Sequence, residues 1–142
     1  MDDGGCPCGL GDDYAACCGR LHGGAPAATA EALMRSRYSA FAVGDADYLL
    51  RTWHPSSRPA ELVLEPDLRW TRLAVLETQD GGLFDAAGTV QFRAVYVQDG
   101  QRGVMTETSR FVREDNRWTY LGPVDDSRAG RGTGVSWRGG IP

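Results

Sequence analysis

Lysine is absent from this chain of 142 residues, so all fifteen basic side chains are arginines. We interpret this bias, together with the single isoleucine, as the codon preference of a GC-rich genome. The arginines are spread along the sequence without an evident cluster, and the formal net charge is −4. Because this charge balance does not attract the chain to nucleic acid, we do not expect nucleic acid as a partner.

Long apolar runs are absent as well, since the sequence has no stretch of apolar residues long enough to span a membrane as a helix. The opening sequence MDDGGCPC is acidic and lacks the apolar segment of a secretory signal. We therefore expect a cytoplasmic protein without a membrane partner. Disulfides are rare in the cytoplasm, where clustered cysteines more often bind a metal or carry out redox chemistry.

Composition divides the chain into three zones. Residues 1–24, which we call the knot, hold all four cysteines, residues 25–123 are predicted to form one folded domain, and residues 124–142 form a Gly/Arg-rich tail. The tail offers little apolar surface to offset its ordering entropy, so we expect it to be flexible. We expect the knot and the domain to fold separately, with Gly19–Gly24 as the link between them.

Two helices are predicted at the start of the domain. The segment TAEALMRSRYSAFAVGD carries apolar residues at helical spacing, with Thr29 as the N-cap and Gly44 as the stop. A second, shorter helix is predicted to begin at Asp45 and to end before Pro55.

After residue 66 the pattern changes to the alternation that is typical of strands. The dipeptides Asp99-Gly100 and Asp115-Asn116 predict tight turns between successive strands. In the segment GTVQFRAVYVQDG one face is predicted to consist of Val90, Phe92, Ala94 and Tyr96. Helices followed by an antiparallel meander indicate an α+β fold.

The four cysteines occupy one short segment, CPCGLGDDYAACC, in which Cys6 and Cys8 are followed by the adjacent Cys17 and Cys18. Four thiolates so placed can close a tetrahedron around Zn²⁺, which would supply the folding energy that so short a segment lacks. His22 lies four residues beyond Cys18 and could replace it as the fourth ligand. A pair of disulfides would need an oxidising compartment, and a redox centre would more typically show Cys-x-x-Cys.

The segment CPCGLGDDYAACCGRLH resembles the SEC-C motif, a short zinc-binding module at the C-terminus of the SecA preprotein translocase. In that motif two cysteines one residue apart are followed by an adjacent Cys-Cys or Cys-His pair. The resemblance implies one structural zinc per chain, held by Cys6, Cys8, Cys17 and Cys18 in preference to His22. Because the motif docks protein partners in the translocase, it also implies a protein partner for the knot.

The strings LMRSRYSAF, DADYLLRTWHPSSRP and ETSRFVREDNRWTYL resemble the YchJ-type family of small bacterial proteins. Members of that family pair an N-terminal SEC-C motif with a domain similar to nuclear transport factor 2. The resemblance covers about residues 6–122 and implies a cone in which a curved antiparallel sheet wraps around helices. It implies no particular reaction, since related folds host both enzymes and binding modules.

Two hypotheses about function follow. The first is a small binding or adaptor protein whose structural zinc knot docks a protein partner. The second is an enzyme or small-ligand-binding protein that holds a small hydrophobic molecule inside the cone, with His54, Glu107 and Arg110 as candidate catalytic residues. Glu107 could equally form a structural ion pair, for which Arg37 is the first candidate because it shares a helix side with core residues.

Overall fold

A computed structural model of the chain describes residues 6–9, 13–64 and 67–124. The prediction of a flexible tail falls almost wholly outside the described residues. In the described ranges no helix has both the length and the apolar character that crossing a membrane requires.

Side-chain caps set the bounds of the two main helices where the sequence predicts them. Thr29 Oγ1 accepts a hydrogen bond from Ala32 N at 3.0 Å, and Gly44 ends the helix in the left-handed conformation, with φ 83°. Asp45 Oδ1 then accepts from Tyr48 N at 3.1 Å and begins the next helix. The described helical elements, in chain order, are a 3₁₀ turn at Tyr14–Ala16, α1 (Cys18–His22), α2 (Ala30–Val43) and α3 (Ala46–Arg51).

The sheet is a four-stranded antiparallel meander in which each strand pairs with its neighbour in the sequence. Its strands are β1 (Leu68–Asp80), β2 (Ala87–Gln98), β3 (Gln101–Glu114) and β4 (Arg117–Pro123). Both predicted turns have positive φ at their two central residues, the backbone geometry of a tight hairpin. Irregular pairing in β1 and at the end of β3 bends the strands, so the sheet curves around α2.

The core lies between α2 and the inner face of the sheet. The inner face predicted for β2 is confirmed, because Val90, Phe92, Ala94 and Tyr96 are all buried. A larger residue in place of Gly103 of β3 would displace Tyr96, since a Cβ there would lie 2.3 Å from its ring. The side chains that fill the space above this face come from α2 and from the segment after α3, and include Leu33, Met34, Tyr38 and Trp53.

The segment Gly19–Gly24 is not the flexible link that the sequence suggests. Most of it belongs to α1, which directly follows the cysteine turn and packs on the domain. Leu21 is buried in a second apolar cluster together with Ala40, Tyr48 and Leu49 of the next two helices. The glycines of this segment lie at its two ends, and Leu21 between them anchors the short helix to the domain.

Hydrogen bonds also cross from the knot to the domain. Arg35 Nη1 of α2 donates to the carbonyl of Cys8 at 2.9 Å, and Arg51 Nη2 of α3 donates to the carbonyl of His22 at 2.6 Å. His22 Nε2 lies 2.8 Å from the carbonyl oxygen of Ser36. The described part of the knot is therefore packed against the domain as part of one unit.

Candidate metal centre and the interior of the cone

The four cysteine sulfurs gather at one point beside α2. All four Sγ atoms lie within 4.8 Å of one another, with Cys8 and Cys17 3.6 Å apart and Cys17 and Cys18 4.0 Å apart. A tetrahedron with metal–sulfur bonds of about 2.3 Å has edges of about 3.8 Å, whereas a disulfide needs about 2.05 Å. The sulfurs therefore have the spacing of metal ligands, and the cysteines are free thiols.

Two tight turns bring these sulfurs together. The first is closed by a hydrogen bond of 3.1 Å from Gly9 N to the carbonyl of Cys6, and Gly9 adopts a positive φ of 86° there. The second is the 3₁₀ turn, in which Cys17 N donates to the carbonyl of Tyr14 at 3.0 Å immediately before α1 begins at Cys18.

Burial of the cysteine cluster disfavours the charged thiolate forms of its side chains. Burial of the Cys17 thiol raises its pKa to about 12, and its hydrogen bond to Cys8 adds to the effect. The pKa of Cys18 is raised as well, first by its hydrogen bond with Cys8 and then by burial. Thiols with such pKa values ionise at neutral pH only where a cation stabilises the thiolates.

His22 uses both of its ring nitrogens away from the cysteine cluster. Nε2 donates to the carbonyl of Ser36, and Nδ1 is hydrogen-bonded to the hydroxyl of Tyr14. Its ring also packs against that of Tyr48, with centroids 4.5 Å apart. This geometry favours Cys18 over His22 as the fourth ligand and gives the histidine the task of fastening the knot to α2.

The three candidate catalytic residues are not brought together. His54 lies near the surface, where its Nδ1 contacts Ser56 and its Nε2 lies 3.3 Å from the Glu114 carboxylate. Arg110 is exposed on the outer face of β3. Glu107 alone points inward, so these three side chains do not converge on one pocket.

Two hydroxyl groups that sequence reasoning missed are partners of Glu107. Ser109 Oγ and the Tyr120 hydroxyl both donate to Glu107 Oε2, at 2.6 and 3.0 Å. Arg37 faces the sheet, as its helix side predicts, but its guanidinium lies over the rings of Tyr120 and Trp53, 4.7 and 5.1 Å from their centroids. Arg37 is thus coupled to Glu107 through Tyr120. The sequence did not predict this contact because Tyr120 is distant in the chain from both residues.

The interior of the cone is filled by these side chains and by the apolar core. Arg37, Trp53 and Tyr120 are almost completely buried. A cavity of about 80 Å³ lies elsewhere, between α1, α3 and β4, and is lined by residues that include Leu21, Tyr48 and Trp118. Pockets for small ligands usually measure about 300–1,000 Å³, so this cavity is too small for one.

Comparison with known proteins places this architecture in a family. The family model described as the YchJ middle, NTF2-like domain matches residues 29–123. A UPF0225 protein of Streptomyces coelicolor is 59% identical over 116 residues, which cover 81% of this chain and 90% of the relative. A UPF0225 protein of Corynebacterium efficiens is 54% identical over 121 residues, which cover 84% of this chain and 92% of the relative.

Two solved structures share the fold. The solution structure of a SEC-C motif containing protein from Rhodopseudomonas palustris matches with a TM-score of 0.74 at 33% identity, covering 84% of this chain and 97% of that protein. The crystal structure of a SEC-C motif containing protein from Psychrobacter arcticus has a TM-score of 0.69 at 24% identity, covers 94% and 85% of the two chains, and supports the fold alone. The chain therefore belongs to the YchJ-type family of UPF0225 proteins, with an NTF2-like domain that follows a cluster of four cysteines.

Proposed function

We propose that this protein is a small adaptor whose knot is held by one structural zinc ion and docks a protein partner. The observation that carries the proposal is the cluster of four thiols at tetrahedral spacing. Thiolates select soft or borderline metals, and a site with four sulfur ligands is typical of structural Zn²⁺. The ligands would be Cys6, Cys8, Cys17 and Cys18.

A site of this kind would organise the chain without taking part in a reaction. With all four positions filled by protein sulfur, zinc has no open position for water or substrate. The resemblance of the knot to the SEC-C motif, and the similarity to SEC-C motif containing proteins of solved structure, support the same interpretation.

One side of the knot is exposed among its described residues and could receive a partner. Its inner side, including Cys8, Cys18 and Leu21, is buried against the domain. Its outer side presents Asp13, Ala15 and Ala16 as exposed residues. A partner that recognises the knot would contact this outer side, whose shape depends on the metal because the turn has hardly any apolar core of its own.

The interior of the cone supports an adaptor over an enzyme. Its candidate catalytic residues are separated, and the space that a substrate would need is occupied by Arg37 and large aromatic side chains. A partner surface therefore accounts for more of the described structure than an internal pocket does.

Affinity capture with the full-length, zinc-loaded protein tests the proposal. A double variant, Ala15→Arg with Ala16→Arg, would block the outer side of the knot without disturbing its sulfurs, and Ala60→Arg at an exposed position of the domain is the matched control. We expect a captured protein that the control retains and the double variant loses, as quantified by mass spectrometry. If no captured protein depends on the knot, docking through the knot is wrong.

A further inference from the structure

The outer face of the sheet gathers arginines that the sequence keeps far apart. Outward positions of β1, β2 and β3 lie side by side in three successive rows, as the strand register sets them. We call these nine positions the arginine face: Arg69, Arg72, Ala74, Arg93, Val95, Val97, Arg102, Val104 and Thr106. The expectation that the arginines form no cluster is therefore wrong for this face, because strand pairing joins residues that are distant in the chain.

The positive charge of this face is uncompensated among the described residues. All four of its arginines are exposed, and none of their side chains forms a hydrogen bond or an ion pair with another described residue. None of the nine positions carries a carboxylate. At the turn end, interaction with the neighbouring carboxyl group of Asp67 raises the pKa of Asp99, and neither carboxylate forms an ion pair with an arginine of this face. The arginine face therefore attracts negative charge from outside the domain.

The centre of the arginine face is apolar. Val97 lies between Arg69 and Arg102 in one row, and the next row places Val95 and Val104 beside Arg72. Val104 is 46% exposed, although valine on a strand is usually covered. An apolar centre with a charged rim is the usual anatomy of a protein interface.

The dimensions of this face suit one helix. Three strands at a spacing of about 4.8 Å make a strip about 10 Å wide, and an α-helix with its side chains is about 10–12 Å across. We propose that the arginine face docks an acidic amphipathic helix of a partner protein, whose apolar stripe covers the valines and whose Glu or Asp residues pair with the surrounding arginines.

Two other occupants fit less well. A second copy of the chain packed face to face would bring the same arginines against each other, and like charges across an interface are strongly unfavourable. Single-stranded nucleic acid binds to sheets through aromatic side chains that stack on its bases, and none of the nine positions is aromatic. This docking surface lies on the sheet and is independent of the metal centre.

Fluorescence anisotropy with the full-length protein tests this inference. The probes are a set of labelled amphipathic helical peptides with leucine along one stripe and glutamate on both flanks, the same peptides with lysine in place of glutamate, and polyuridylate. We expect the acidic peptides to bind and the lysine peptides not to bind. Their affinity should fall with rising salt, because exposed charge pairs are screened.

Variants of exposed residues identify the binding face. Arg72→Glu with Arg102→Glu should weaken binding of the acidic peptides at least about tenfold, and Arg72→Ala with Arg102→Ala should weaken it in the same direction. Val104→Ala should weaken peptide binding because it reduces the apolar centre. Arg110→Glu, on the same face but outside the nine positions, is the matched control and should change the affinity less than about twofold.

The double variant Ala15→Arg with Ala16→Arg should leave peptide binding intact, which separates this inference from docking through the knot. The proposal is overturned if none of the acidic peptides binds, or if the control weakens binding as much as the double variants do. Tighter binding of polyuridylate than of every acidic peptide would also overturn it and would assign the face to nucleic acid.

Discussion

At the scale of single residues, Arg37 shows how a charge can be held in the core by aromatic rings. It is completely buried, and burial lowers the pKa of its guanidinium to about 10, so the side chain stays charged at neutral pH. Its Nη1 donates to the carbonyl of Leu49 at 2.7 Å, and the rings of Trp53 and Tyr120 cover its planar group. The hydroxyl of Tyr120 then reaches Glu107, so one tyrosine connects a buried cation to a carboxylate.

Glu107→Gln is expected to lower the free energy of unfolding by about 1–3 kcal/mol, because it weakens two hydrogen bonds to a charged acceptor. Tyr120→Phe removes one of the two donors, so the double variant should lose less than the sum of the single losses. Urea denaturation measures all three, with the exposed Glu77→Gln as the control, for which we expect a change within about 0.5 kcal/mol. Equal midpoints for Glu107→Gln and the control would show that the carboxylate is dispensable to the fold.

The choice of the fourth metal ligand is a second test at this scale. Cys18→Ser is expected to abolish stoichiometric metal binding, because serine does not replace a thiolate on a soft site. His22→Ala should keep the metal and lose stability instead, since its ring nitrogens bond to Ser36 and Tyr14. Metal content and melting temperature, measured on both variants, separate the two roles. Loss of metal from His22→Ala alone would identify a site with three cysteines and one histidine.

At the scale of elements, α1 is a short helix that owes its stability to what it packs against. An isolated helix of five residues does not persist in water, and α1 is fixed by the cysteine turn before it and by Leu21 on its inner side. The knot in turn covers Ser36, Ser39 and Ala40 of α2, which are fully buried in the intact chain. The sequence predicts separable parts, whereas these contacts predict mutual support.

Deletion of residues 1–24 tests this dependence. We expect the shortened chain to lose at least about 2 kcal/mol of unfolding free energy, since it exposes the apolar surface that Leu21 covers. Denaturant titration of the two chains measures the difference, and addition of a chelator to the full-length protein is the companion experiment. If the shortened chain melts as cooperatively and as late as the intact one, the knot and the domain fold independently.

At the scale of the whole molecule, local sequence signals predicted the helices and strands but not the contacts between side chains of different elements. Helix caps and strand alternation depend on neighbouring residues and could be predicted from the sequence. Examples are the caps at Thr29 and Asp45 and the alternation in β2. The link from Tyr120 to Glu107 crosses between two paired strands, and the alternation within each strand does not predict which side chains meet there. The same holds for the arginine face, because register alone decides which outward side chains become neighbours.

The candidate metal centre was predicted only in part from the sequence. Clustering of the four cysteines within a short segment was readable, and the structure brings their sulfurs within 4.8 Å of one another. The attachment of this segment to the domain could not be predicted from the sequence. Its hydrogen bonds join it to α2 and α3, which are distant in the chain. The molecule combines a domain with a filled core and a knot that is fastened to it and whose four cysteines could hold a metal ion.

Elemental analysis of the full-length protein, purified without added metal, tests the central claim most directly. The account predicts close to one zinc per chain in the wild type and in His22→Ala, and a severe loss in Cys18→Ser. Four reactive thiols per chain without any bound metal in the wild type would contradict it, because the four cysteines would then not be metal ligands.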